Sequence, residues 1–143
     1  MKSEIKPWGS YEVLYEDDFC KVKKIIVKPQ QRLSYQYHVH RKEIWIVTQG
    51  FGELLLDGEP MHVLPNRQYV IPFHAPHRLS NLGDTDLELI EIQTGTYFGE
   101  DDIVRLVDDY DRADFPAQQA DDQELSEELP AEAPLSVEDG QQT

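Results

Sequence analysis

Between residues 10 and 95 turn signals interrupt the chain about every 8 to 12 residues. That spacing leaves little room for a helix of ordinary length, about 10–14 residues. The segments between them are rich in Val, Ile, Tyr and Phe, which suit a pleated and partly buried surface. Strands are expected at 11–15, 20–28, 33–40, 43–48, 51–56, 61–64, 68–72, 77–81 and 86–94. Pro29-Gln30-Gln31, Gln49-Gly50, Asp57-Gly58 and Asn81-Leu82-Gly83-Asp84 mark the turns. Asp57-Gly58 has the composition of a two-residue hairpin turn, because both positions tolerate positive φ. One short helix is expected around Asp101 to Val107, its acids at the N-terminal end where the helix dipole favours them. The expectation is an all-β antiparallel sandwich or barrel.

A second composition begins after Arg112. Residues 113–143 carry acids at Asp114, Asp121, Asp122, Glu124, Glu127, Glu128, Glu132, Glu138 and Asp139, and no Lys or Arg. Such a segment buries too little apolar surface to offset its chain entropy. Residues 1–112 are expected to form one domain and 113–143 a disordered acidic tail. The net charge of −15 argues against a nucleic-acid binder, which needs clustered Lys and Arg. Lys21, Lys23, Lys24 and Lys28 are read as a solvated strand face. Cys20 is the only cysteine, so an internal disulfide and a thiolate zinc site are excluded. No apolar run approaches the roughly 20 residues that span a bilayer, and the N-terminus lacks a signal-peptide core. The expected location is the cytoplasm, without membrane association.

The chemistry concentrates in RLSYQYHVHRKE, residues 32–43. On a strand, alternation places Arg32, Ser34, Gln36, His38 and His40 on one face. Leu33, Tyr35, Tyr37 and Val39 take the other. A polar row facing a barrel interior is costly unless ligand, metal or water satisfies it. His38 and His40 project together, and Glu43 opens the next strand, which suits a divalent ion such as Zn, Mn, Fe, Co or Ni. By itself, H-x-H fits surface histidines on an edge strand equally well.

The segment NRQYVIPFHAPHRLSN adds Asn66, Pro72, His74, His77 and Asn81 in a register that resembles the second motif of the cupin superfamily. His38, His40, Glu43 and Gly50 resemble the first, with one residue fewer between His40 and Glu43. Asn66 and His74 stand where that family has glycines; Asn tolerates the turn conformation, and His74 is read as a surface turn residue. The resemblance implies a closed jelly-roll barrel with one divalent metal on His38, His40, Glu43 and His77, and commonly a homodimer. The Leu33–Val39 face is the expected interface. His62 matches no motif position and is taken as structural.

A narrower resemblance is carried by KPWGSYEVL, KVKKIIVKPQQRLSYQYHVHRKEIW, PHRLSN and LIEIQTGTYFGEDDIVRLVDDYDR. These resemble type II phosphomannose isomerases, over about residues 6 to 112. That family has the shorter H-x-H-R-x-E loop. It forms the C-terminal cupin domain of mannose-6-phosphate isomerase/mannose-1-phosphate guanylyltransferases, and it also occurs free-standing. The implied reaction is the metal-dependent interconversion of mannose 6-phosphate and fructose 6-phosphate, feeding GDP-mannose and polysaccharide synthesis. No Gly-rich nucleotide loop precedes the barrel, so guanylyltransferase activity is not expected. Such an isomerisation needs a Lewis acid, a base and a cation for the phosphate. Glu91 is the candidate base and Arg78 a candidate for charge stabilisation, although parity sets Arg78 opposite His77. Arg32, Gln36, Arg41 and Gln93 are candidates for the sugar phosphate, the guanidinium forks suiting its oxygens. The competing expectations are a non-catalytic metal- or sugar-phosphate-binding cupin and another cupin enzyme, such as a metal-dependent dioxygenase.

Overall fold

The computed structural model describes residues 2–110, 112 and 113. The expected disorder of the acidic tail lies outside them from residue 114 onward. The chain divides into two compact units, Met1–Val104 and Arg105–Thr143. The strands are β1 (Lys2–Lys6), β2 (Gly9–Glu16), β3 (Cys20–Val27), β4 (Tyr35–Tyr37), β5 (Arg41–Gln49), β6 (Gly52–Leu56), β7 (Glu59–Val63), β8 (Gln68–Ile71), β9 (His77–Asn81), β10 (Leu87–Gly95) and β11 (Val104–Val107). In the first unit β1-β2-β3-β10-β5-β8 form one antiparallel sheet, and β4-β9-β6-β7 follow one another in a second. The expected all-β architecture is what forms.

Two local expectations differ. β1 was not anticipated; its polar sequence KSEIK is paired along its length with β2. The helix expected over 101–107 is absent, and Val104–Val107 is a strand. Asp102 caps no helix. Its two oxygens accept from the backbone N–H groups of Val39 at 3.0 Å and His40 at 2.9 Å, which leaves the β-favouring VRLV run free to extend. In the second unit, buried Asp108 accepts from Arg112 Nε at 2.8 Å and Nη2 at 3.0 Å, and from its backbone N–H at 2.7 Å.

The turn chemistry is as expected. Asp57 (φ 51°) and Gly58 (φ 81°) join β6 to β7 with Leu56 opposite Glu59. Asn66 and His74, which replace motif glycines, both adopt positive φ (69° and 66°).

The wall β3-β10-β5 sorts its inward side chains by height. Antiparallel register sets Lys21 opposite Gln93 and Gln93 opposite Glu43, then Lys23 opposite Glu91 and Glu91 opposite Trp45. The next rows are Ile25, Leu89 and Val47, and then Val27 and Leu87. All these side chains are buried. One end of this wall is therefore apolar. The other end is charged. Burying the apolar residues stabilises the fold by about 1.5–3 kcal/mol each and offsets the cost of the polar end.

Gly95, the last residue of β10, sits opposite Arg41 with φ 151°. A Cβ there would lie 2.2 Å from the His40 carbonyl oxygen and 2.8 Å from Arg41 Cα. Side-chain-bearing residues rarely adopt this conformation, so the corner that launches β5 requires glycine. Gly95→Ala is expected to cost at least about 2 kcal/mol in chemical denaturation.

Candidate metal centre

Three buried side chains converge at the charged end. Among the described residues His38, Glu43 and His77 each offer a ligand atom, and these atoms lie within 4.8 Å of one another. Glu43 comes from β5 and His77 from β9. His38 follows β4 directly, and Gln36 on β4 pairs with His77. Glu43 Oε2 is 3.3 Å from His38 Nε2, and Oε1 is 3.9 Å from His77 Nε2.

Backbone carbonyls set the tautomer of both rings. His38 Nδ1 lies 2.7 Å from the Asp102 carbonyl oxygen, and His77 Nδ1 lies 2.9 Å from that of Ala75. Each Nδ1 donates, so each Nε2 keeps its lone pair facing Glu43. Burial, followed by the charges of Arg41 and His77, lowers the His38 pKa to about 3. Burial likewise lowers His77 to about 4. Two neutral imidazoles and a carboxylate form the two-His, one-carboxylate set that first-row divalent metals accept with positions left open. Carbonyls behind the imidazoles are the usual outer support of such ligands. The residues present fit a divalent ion.

Arg41 occupies the fourth corner. Its Nε and Nη2 each donate to Glu43 Oε2 at 2.9 Å, and Nη2 is 3.3 Å from His38 Nε2. Its buried Nη1 has no hydrogen-bond partner. Glu91, also buried, accepts from Trp45 Nε1 at 3.2 Å and from Gln93 Nε2 at 2.8 Å. Burial, reinforced by Glu43, raises its pKa to about 7. Ser34 Oγ and Gln93 Oε1 are buried without a partner, and Gln36, two residues from Ser34, is buried too. Orphaned polar atoms of this kind mark places for water or a hydrophilic ligand.

Other expected site residues lie elsewhere. His40 is exposed, and its ring meets Tyr97 edge-on at 6.1 Å. β4 ends at Tyr37 and the backbone bends at Val39 and His40, so the alternation that would pair His40 with His38 is lost. Arg41 takes the inward place. Arg32 is also exposed, held by an isolated bridge to Ser80. Arg78 is buried, but its Nε donates to the Leu33 carbonyl at 2.9 Å, and strand alternation turns it away from His77. His62 and His74 are exposed.

Lys21 and Lys23 are not on a solvated face. They are 5% and 4% exposed, and both reach Glu100 Oε2, at 3.1 and 2.7 Å. They alternate in phase with Ile25 and Val27, but the other face, with Val22, Lys24 and Ile26, is as mixed, so parity alone does not single them out. Burial alone would raise the Glu100 pKa, but the ammonium groups of Lys23 and Lys21 hold it at about 2. Asp102 has no local sequence signal, because it acts 62 to 64 residues away.

Two antiparallel sheets with a buried His/Glu cluster among their polar inward side chains make the build of a cupin. The family model "Mannose-6-phosphate isomerase C-terminal" matches residues 2–108, and the chain belongs to that family. It is 46% identical over 114 residues to the alginate biosynthesis protein AlgA of Pseudomonas aeruginosa, covering 80% of this chain and 24% of that protein. It is 42% identical over 107 residues to mannose-1-phosphate guanylyltransferase of Escherichia coli, covering 75% and 22%. The chain thus spans about a quarter of the length of these curated relatives. Among solved structures, KdgF from Halomonas sp. superposes with a TM-score of 0.62 at 19% identity, covering 68% of this chain and 86% of that one. A cupin-superfamily sugar phosphate isomerase from Silicibacter pomeroyi superposes with 0.56 at 20%, covering 64% and 65%. At these identities the two structures show the fold alone. No helix among the described residues is long and apolar enough to cross a membrane.

Two outcomes follow. His38→Ala or His77→Ala should abolish stoichiometric divalent metal in elemental analysis, whereas His40→Ala should retain it. Glu100 has a folded pKa depressed below its ordinary 4.5. Its ion pairs therefore stabilise the fold above pH 4.5 and lose that contribution as pH falls toward 2. Glu100→Gln should flatten this part of the stability–pH curve in urea titrations.

Proposed function

We propose that the chain is a metal-dependent sugar-phosphate isomerase that interconverts mannose 6-phosphate and fructose 6-phosphate. The observation that carries this reading is the buried Glu91, positioned beside the His38–Glu43–His77 set in the polar half of the barrel. Membership of the mannose-6-phosphate isomerase C-terminal family supports it. So does the hydrophilic lining of Ser34, Gln36, Arg41 and Gln93, which suits a polyol rather than an apolar oxidation substrate.

The interconversion moves one proton between C2 and C1 and a second between the oxygens on those two carbons, through a cis-enediol. His38, Glu43 and His77 would hold a divalent ion, which would supply Lewis acidity to the reacting end of the sugar. Glu91, as carboxylate, accepts the proton from C2 of the open-chain aldose and returns it to C1. Trp45 Nε1 and Gln93 Nε2 fix that carboxylate, so it is aimed before the substrate arrives. Arg41 sets a permanent positive charge beside the developing negative charge, and its free Nη1 can donate to a sugar oxygen. Ser34 and Gln36 offer polar atoms to hydroxyl groups. Burial within the barrel keeps bulk water from the enediol.

The test is an isomerase assay on mannose 6-phosphate with metal-stripped protein reloaded separately with Zn, Mn, Co, Fe and Ni. Turnover is expected with at least one metal. Glu91→Gln should lose about 10²-fold or more in kcat while keeping full metal occupancy. Absence of turnover with every metal would overturn the assignment.

A further inference from the structure

Lys21 and Lys23 are two buried basic side chains on the inner face of a barrel wall, a costly arrangement unless an anion meets them. Both converge on one oxygen, Glu100 Oε2, and Lys21 also donates to the Phe98 carbonyl at 3.1 Å. The partners are unlike. The lysines are rooted in β3 and almost wholly buried, whereas Glu100 lies in the connection after β10 with its side chain 37% exposed. At Glu100 two ammonium groups meet one carboxylate, with Glu91 the register partner of Lys23 on the same wall. The removable member is the acid.

We propose that Lys21 and Lys23 form the anion subsite for the phosphate group of the ligand, and that Glu100 is its resident stand-in. The assignment rests on the reading that the interior takes a sugar phosphate, and it names the residues that hold the phosphate. Lys21 is the register partner of Gln93, and Gln93 that of Glu43. Strands lie about 4.8 Å apart, so the Lys21 and Glu43 backbones are about 10 Å apart, the scale of an open-chain hexose phosphate. Gln93 stands between them, and its Oε1 and the Nη1 of Arg41, on the strand of Glu43, are buried without partners and offer an acceptor and a donor to the sugar hydroxyls. A phosphate monoester dianion displaces the Glu100 carboxylate and takes both ammonium groups. Glu100 then returns to solvent, which its half-open position permits. Arg32 and Arg78, the other cations near β4 and β9, do not share this interior.

The test uses the full chain and inorganic phosphate, titrated calorimetrically on metal-free protein, so it is independent of turnover. Glu100→Gln removes the competitor and should tighten phosphate about tenfold. Lys23→Gln should weaken it about tenfold or more, with metal stoichiometry unchanged. A Glu100→Gln protein that binds phosphate no tighter than the parent chain overturns the proposal, and leaves the cluster as a clamp on the connection after β10. That variant decides the matter alone if Lys23→Gln does not fold. An inactive isomerase that shows the tightening keeps the subsite; an active one without it loses the subsite.

Discussion

Everything at the charged end depends on the carboxylate of Glu43, which is only 1% exposed. Taking such an anion out of water costs several kcal/mol unless it is paired and hydrogen-bonded. Glu43 accepts from Arg41 on Oε2 and from Trp45 Nε1 on Oε1 at 3.0 Å, while the Nε2 lone pairs of the two neutral histidines face it within 3.9 Å. Each partner is then fixed by a further contact. Gly95 allows the close approach that places Arg41. Asp102 holds both the His38 ring and the bend after it. The Ala75 carbonyl aims His77. The site is a chain of obligations that starts from one buried acid.

The barrel tolerates this because its other end is dry. Leu87, Leu89, Val27 and Val47 are fully buried and belong to the same strands that carry the charges. Each wall strand thus spends part of its length on stability and part on chemistry. Neighbouring strands change over at the same height because they run antiparallel in register.

Strand alternation made much of this legible in the sequence. It placed Ser34, Gln36 and His38 inward, and the motif spacing found Glu43 and His77. It failed where the backbone leaves the pleat. His40 lies beyond the end of β4, so parity carried it to the wrong face, and Arg41, opening β5, took the inward position. Arg32 precedes β4 and suffers the same error. Lys21 and Lys23 were misjudged for another reason: on a strand whose two faces are both mixed, charge suggests solvent, and only the distant Glu100 explains their burial. Asp101 and Asp102 resembled a helix start, although the carboxylate of Asp102 serves Val39 and His40 instead. Long-range partners of this sort leave no periodic trace.

The register of β3, β10 and β5 has a consequence for selectivity. Functional groups on neighbouring strands of a hydrogen-bonded lattice cannot drift apart, since their separation comes in whole strand spacings of about 4.8 Å. The wall is therefore a ruler with coarse divisions. A related protein could change which groups stand at each mark by single substitutions. To measure a longer molecule it would have to recruit the next strand, and so rebuild the sheet.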